Sequence, residues 1–151
     1  MSPSESTTHV RSILVPVDAS HASMQAVALA CDIARQNKGK VVAVHVIEVK
    51  RTLALDAPME PEEAAGEEIL KRAEGVAKTQ SCSIESEILH AREAGSAIVD
   101  EAIDRQVDLV ILGTGYEQPF GAFQLSRIVL HVLKNAPCEV WVCRHPAEGV
   151  R

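Results

Sequence analysis

Hydrophobic and polar positions follow two different periods along the chain, and the period changes from segment to segment. Nearly continuous apolar runs at SILVPVD (12–18), KVVAVHVIEV (40–49) and VDLVILG (107–113) predict strands buried on both faces. SIESEIL (83–89) and CEVWVCR (138–144) alternate apolar with polar residues, which indicates less deeply buried strands, the first of them at an edge. The pattern therefore predicts five strands.

The segments between these strands carry apolar residues at helical spacing. Ser20 is a good N-cap for a first helix that extends to about Asn37, with Gly39 as its stop signal. Pro61, followed by two glutamates, predicts the start of a second helix, because proline and acidic residues are favoured in the first turn.

Two further helices complete the pattern. One begins at Gly95 and directs four apolar residues to a single face: Ile98, Val99, Ala102 and Ile103. The other extends from about Gln124 to Asn135 and is ended by Pro137.

Strands and helices thus alternate from one end of the chain to the other. Parallel neighbouring strands need crossover connections, so this alternation predicts an open parallel sheet with helices on both faces, an α/β fold. We expect one domain over residues 12–145, preceded by a disordered lead-in (1–11) and followed by a short tail (146–151).

Composition narrows the possible partners. The chain has 151 residues and a net charge of −6, which argues against nucleic acid and more weakly against anionic membranes. No apolar run reaches the roughly 20 residues of a membrane helix. Four cysteines without C-x-x-C spacing indicate reduced core residues, and we expect a soluble, cytoplasmic protein. They are Cys31, Cys82, Cys138 and Cys143.

The carboxyl ends of parallel strands are where ligands bind in open α/β sheets. Asp18, Glu48, Arg92 and residues 113–115 lie at those ends, but no dinucleotide fingerprint, Walker A loop or nucleophile elbow is present. The histidines show no paired metal-ligand spacing. Because Asp18 has no visible partner base or nucleophile, we predict a binding protein and not an enzyme.

The segments ILVPVDASHASMQAVALACDIA, VVAVHVIEV, AREAGSAIVDEA, DLVILGT and VLKNAPCEVWVC, in this order, resemble the universal stress protein family. The likeness covers residues 12–144, and ILVPVD and NAPCEVWV at opposite ends make it specific. It implies an adenine-nucleotide alpha hydrolase-like sheet with strand order 3-2-1-4-5. It also implies a homodimer through the last strand (138–144) and a regulatory role in stress responses.

Family members that bind ATP hold adenine with an aspartate after the first strand and the backbone of a valine in the second, positions occupied here by Asp18 and Val46. Their G-x2-G-x9-G-[ST] motif holds the ribose and phosphates. Its first glycine matches Gly113, but the other three positions hold Tyr116, Ser126 and Arg127. Because glycine permits close backbone approach to phosphate, the triphosphate cradle of the family is predicted to be broken.

Three alternatives remain open, and the path of residues 115–123 decides between the first two. In the first, an adenine nucleotide (AMP, or ATP with Mg²⁺) binds through a modified loop. Its site residues would be Asp18, Val46, Gly113, Thr114, Ser126 and Arg127. In the second, Tyr116, Phe120 and Phe123 close the cleft and contact a regulatory protein partner. In the third, the protein binds ATP and hydrolyses it slowly.

Overall fold

Strands and helices alternate through the chain as predicted. The computed structural model describes residues 10–115 and 125–146, and within them five strands alternate with four helices. The strands are β1 (Ser12–Pro16), β2 (Lys40–Glu48), β3 (Ile84–Ala91), β4 (Leu109–Thr114) and β5 (Glu139–Arg144). The helices are α1 (His21–Asn37), α2 (Glu60–Thr79), α3 (Ala94–Arg105) and α4 (Arg127–Asn135).

All five strands lie in one parallel sheet with the order β3-β2-β1-β4-β5, which confirms the predicted fold class and strand order. Successive residues of the central strands point to opposite faces. Ile13 and Val15 pack in a core with α1 and α2, while Leu14 packs in a second core with α3 and α4. Val10 precedes β1 and is 3% exposed, so packing begins before the strand.

Helix α1 begins and ends where the sequence predicts, but its last turn is closed by a different residue. Ser20 caps the first turn by accepting the amide of Ser23. The left-handed residue is Lys38, with φ of 57°, and not Gly39. A Cβ on Gly39 would lie 2.4 Å from the carbonyl oxygen of Arg11, so glycine is required there for close packing against the chain entering β1.

Two other details of the helix predictions were wrong. Helix α4 begins at Arg127, because the hydroxyl of Ser126 accepts the amide of Val129 and caps the helix there. Ile103 is 51% exposed, because the buried stripe of α3 follows Ile98 and Ala102 and leaves Ile103 on its margin.

The cysteines differ in their burial. All four are free; Cys31 is buried in the core, as predicted, whereas Cys82, Cys138 and Cys143 are half-buried. Among residues 10–115 and 125–146, no helix has both the length and the hydrophobicity needed to cross a bilayer.

Candidate functional site

A small cavity lies beyond the carboxyl ends of β1, β2 and β4, where α3 and α4 begin. Its volume is about 150 Å³. Asp18, Val46, Gly113 and Ser126 all line it, although they lie in four separate segments of the chain. The sheet therefore brings together four of the six site residues predicted from the sequence.

The turn that carries Asp18 is held by a hydrogen-bond network. One carboxylate oxygen of Asp18, Oδ1, accepts the amide of Ser20 at 2.8 Å. The hydroxyl of Ser23, which is only 3% exposed, accepts the amide of Asp18 at 3.2 Å and donates to its carbonyl at 2.9 Å. No hydrogen bond between described residues uses Oδ2 of Asp18, so this oxygen can accept one from a ligand.

The backbone of Val46 faces the cavity because β1 leaves the sheet. The amide of Val17, just after β1, donates to the carbonyl of Val44 at 2.8 Å. Alternate residues of a parallel strand direct both backbone polar groups to the same neighbour. Val46 therefore points its N–H and C=O to the side where β1 has already turned away. A donor and an acceptor stand side by side at the cavity wall.

Apolar side chains form the rest of this wall. Val44 and Val46 from β2, Ile98 from α3 and Val129 from α4 line the cavity. An apolar slot with a few polar groups at its edge is the usual form of a small-molecule site. The arrangement suits a flat, partly apolar ring whose rim carries hydrogen-bonding groups.

Gly113 has a packing reason to be glycine. A Cβ at this position would lie 2.1 Å from the carbonyl oxygen of Ala22 in α1, so β4 and α1 approach too closely for any side chain. Thr114 lines neither this cavity nor the larger one beside it, and its carbonyl accepts the amide of His145 at 2.9 Å.

A larger cavity of about 480 Å³ adjoins the first, and Ser126 lines both. The exposed Arg127 at the start of α4 lines the larger one, together with His131. The amino-terminal end of α4 carries the positive end of the helix dipole, so this wall favours a negatively charged group. Tyr116, Phe120 and Phe123, predicted to cover the cleft, lie outside the described residues.

Two polar residues of the larger cavity also have structural partners. Glu48 accepts the amide of Ala94 at 2.8 Å through Oε2 and so satisfies the first turn of α3. Arg92 donates to backbone carbonyls of the segment after β2, among them that of Leu53 at 2.8 Å. These side chains shape the cavity, and their hydrogen bonds limit what they can offer a ligand.

Sequence reasoning missed two residues that shape the site. Ser23 is a buried hydroxyl on an otherwise apolar helix face, a signal that the pattern of α1 does contain. His45 lines the small cavity, whereas the sequence pattern drew attention only to the absence of metal-ligand spacing among the histidines. No group of three or more His, Cys, Asp or Glu side chains positioned to hold a metal occurs in the described part of the chain.

The chain is similar to known proteins along most of its length. The sequence profile of the universal stress protein family matches residues 9–144. A universal stress protein of Methanocaldococcus jannaschii is 29% identical over 142 residues, which are 90% of this chain and 83% of that protein. A relative from Staphylococcus haemolyticus is 30% identical over 144 residues, which are 89% of this chain and 84% of the relative.

Solved structures of the family share the fold. A universal stress protein of Archaeoglobus fulgidus superposes with a TM-score of 0.72 at 20% identity, covering 87% of this chain and 92% of that one. A structure from the same organism in complex with dAMP gives 0.71 at 17% identity, over 89% and 98% of the chains. An Arabidopsis thaliana family member with AMP bound gives 0.66 at 17% identity, over 93% and 95%.

Proposed function

The chain belongs to the universal stress protein family, and we propose that it is a non-catalytic regulatory protein controlled by an adenine nucleotide. One observation carries the proposal: a carboxylate, an open pair of backbone polar groups and the start of a helix meet at one apolar cavity. They belong to Asp18, Val46 and Ser126. The ligands named for the Archaeoglobus and Arabidopsis structures, dAMP and AMP, support the same class of ligand.

The adenine end of the site is the small cavity. Adenine presents an amino donor beside a ring-nitrogen acceptor, which complements a backbone C=O and N–H standing side by side. Val46 provides that pair, and the apolar walls from β2, α3 and α4 enclose the ring faces. The unused oxygen of Asp18 accepts a hydrogen bond from the amino group or a ribose hydroxyl.

The phosphate end lies toward the larger cavity. Here Arg127 and the amino-terminal end of α4 supply positive charge in place of the missing glycines. A guanidinium can bind one phosphate through two hydrogen bonds, whereas a triphosphate needs a longer row of donors. We therefore propose that a nucleoside monophosphate is the preferred ligand.

Calorimetric titration of the protein with AMP, ADP and ATP, the last with Mg²⁺, tests the proposal. Asp18→Asn keeps an oxygen for the amide of Ser20 but removes the charge, so AMP affinity should fall roughly 10- to 100-fold, the worth of a charged hydrogen bond. Asp104→Asn, at an exposed position near the end of α3, is the matched control and should bind normally. Wild-type protein that takes up no nucleotide at millimolar concentration would refute the proposal.

The role of Arg127 is tested separately. Arg127→Ala should weaken AMP binding but leave adenosine binding unchanged, because only AMP carries the phosphate. An equal loss for both ligands would place Arg127 at the wrong end of the site. Lys134→Ala, in the last turn of the same helix, provides a matched removal of positive charge away from the cavity.

Slow ATP hydrolysis is the alternative activity. In that case ATP and Mg²⁺ would bind more tightly than AMP, and purified protein would release phosphate at a rate that Asp18→Asn lowers. The proposed regulatory role predicts instead that wild-type protein and Asp18→Asn release phosphate at the same rate. The occupied cleft would then present its surface to a regulatory protein partner.

We further propose a homodimer through β5, one of the two edges of the sheet. The other edge, β3, carries Glu85 and Glu87, both paired with Arg105, and charged edges resist pairing. The middle residues of β5 are apolar and only half-buried.

Alternate residues of β5 direct their backbone groups away from β4. The amide of His145 bonds to Thr114 of β4, so the amide of Val142 points outward. Val142→Pro removes this donor without breaking the β4 ladder, and it should dissociate the dimer in sedimentation experiments. Ser86→Pro, on the outer side of β3, should leave the dimer intact; a wild-type monomer at all concentrations would contradict the proposal.

A further inference from the structure

Four successive backbone carbonyls in the turn after β1 accept hydrogen bonds from side chains. His45 Nδ1 bonds to the carbonyl of Val17 at 2.9 Å, and Arg72 Nη1 donates to that of Ala19 at 3.2 Å. The hydroxyl of Ser23 shares its hydrogen between the carbonyls of Asp18 and Ser20, at 2.9 and 3.1 Å. The turn that carries the Asp18 carboxylate therefore receives hydrogen bonds from side chains of β2, α2 and α1.

His45 holds the part of this turn closest to β1. Its ring bonds to a carbonyl, so Nδ1 carries the hydrogen and donates. The peptide group before Val17 donates its N–H to Val44, and the one after it accepts from His45. Adjacent residues of β2 thus hold both backbone polar groups of Val17, immediately before Asp18.

The half-buried ring of His45 lies beside Gly66 of α2. A Cβ on Gly66 of α2 would lie 2.8 Å from the ring carbon Cδ2, and 3.2 Å from Ile88. Glycine at position 66 therefore leaves the space that the ring occupies when it bonds to Val17. A leucine could fill the same space, but it could not donate to the Val17 carbonyl.

We propose that His45 is a positioning residue of the nucleotide site, which sets the Asp18 carboxylate at the correct distance from the backbone of Val46. The connection is short, because His45 is the residue next to Val46 and bonds to the residue next to Asp18. This inference rests on the proposed function. It goes further because it assigns the geometry of base recognition to His45, whose side chain lies on the face of β2 opposite to that of Val46.

Two substitutions separate the hydrogen bond from the packing. His45→Leu removes the donor and should weaken AMP binding about 10-fold, the equilibrium factor for one ordinary hydrogen bond. His45→Asn places an amide nitrogen near the position of Nδ1 and should restore affinity to within about 3-fold of wild type. His90→Leu is the matched control: it removes a histidine of β3 whose Nε2 bonds to Glu63 of α2 at an exposed site outside both cavities, so affinity should change less than about 2-fold.

A measurement without ligand tests the same inference. Amide hydrogen exchange of Ser20 reports its hydrogen bond to Asp18, which should open more often in His45→Leu than in wild type or His45→Asn. Equal Ser20 exchange in all three proteins would overturn the inference, as would a His45→Asn variant as impaired as His45→Leu. If wild-type protein binds no AMP, the proposed function fails, and Ser20 exchange alone decides whether His45 positions the turn.

Discussion

Gly113 provides the sharpest test of how this site is built. The family motif assigns its first glycine to phosphate contact, whereas the structure gives a packing reason for it. A Cβ at position 113 would lie 2.1 Å from the carbonyl oxygen and 2.6 Å from the carbonyl carbon of Ala22. Both atoms belong to the backbone of α1, so no side-chain rotation can relieve the clash.

The magnitude follows from that geometry. Real Cβ contacts are almost never shorter than 3.0 Å, so Gly113→Ala must move β4 and α1 apart by roughly 0.9 Å. Overpacking of a rigid site costs about 3 kcal/mol at the upper end of the usual range. For a chain of this size the melting temperature should fall by roughly 6–12 °C.

Thermal unfolding followed by circular dichroism, without any nucleotide, is the assay. Gly75→Ala is the matched control, because a Cβ there meets no atom within 4 Å and alanine is the better helix former. Its melting temperature should stay the same or rise slightly. A Gly113→Ala protein that melts within about 2 °C of wild type would refute the packing explanation and return Gly113 to a purely ligand-contacting role.

Three further outcomes are expected. Ser126→Ala should lower the melting temperature by roughly 2–4 °C through loss of the α4 cap, and Ser126→Asp should not. Burial, and then His21, lower the pKa of His145 below its usual 6.5. The folded protein therefore binds fewer protons than the unfolded chain, and its free energy of unfolding should decrease as the pH falls through 6.5. Urea unfolding should show a smaller decrease in His145→Asn than in wild type. Burial, and then the hydrogen bond with Cys82, raise the pKa of Cys31 to about 12, so mass spectrometry should find Cys31 alkylated by iodoacetamide only after unfolding.

The fold was predictable because its pattern is local. The apolar runs of β1, β2 and β4 predict strands that are buried on both faces, and the alternation of apolar and polar residues in β3 predicts a strand at the edge of the sheet. Ser20 marks the start of α1 because its side chain caps the helix through a hydrogen bond to a residue only three positions away. The error at Ile103 arose because the apolar pattern of α3 is wider than its buried stripe, which leaves this residue half-exposed in the described part of the chain.

The site was predictable only in part. Asp18 followed from its place at the end of a buried strand and Val46 from the family resemblance, and the structure brings both to the same cavity. The resemblance supplied a role for Gly113, but the contact with Ala22 depends on the distance between β4 and α1. Thr114 is adjacent to Gly113 in the sequence but lines neither cavity, and residue spacing along the chain does not predict this difference.

The sequence by itself determined which segments are buried, where α1 begins and ends, and that the polar residues at the carboxyl ends of the parallel strands lie on the same side of the domain. Each of these features depends on residues only a few positions apart, through the spacing of apolar residues or through a helix-capping side chain. Only the tertiary structure decided that β1 leaves the sheet before Val46, which frees its backbone, and that His45 reaches the carbonyl of Val17. Those relations join residues 28 or more positions apart, and they depend on strand register and helix packing, which no local pattern encodes.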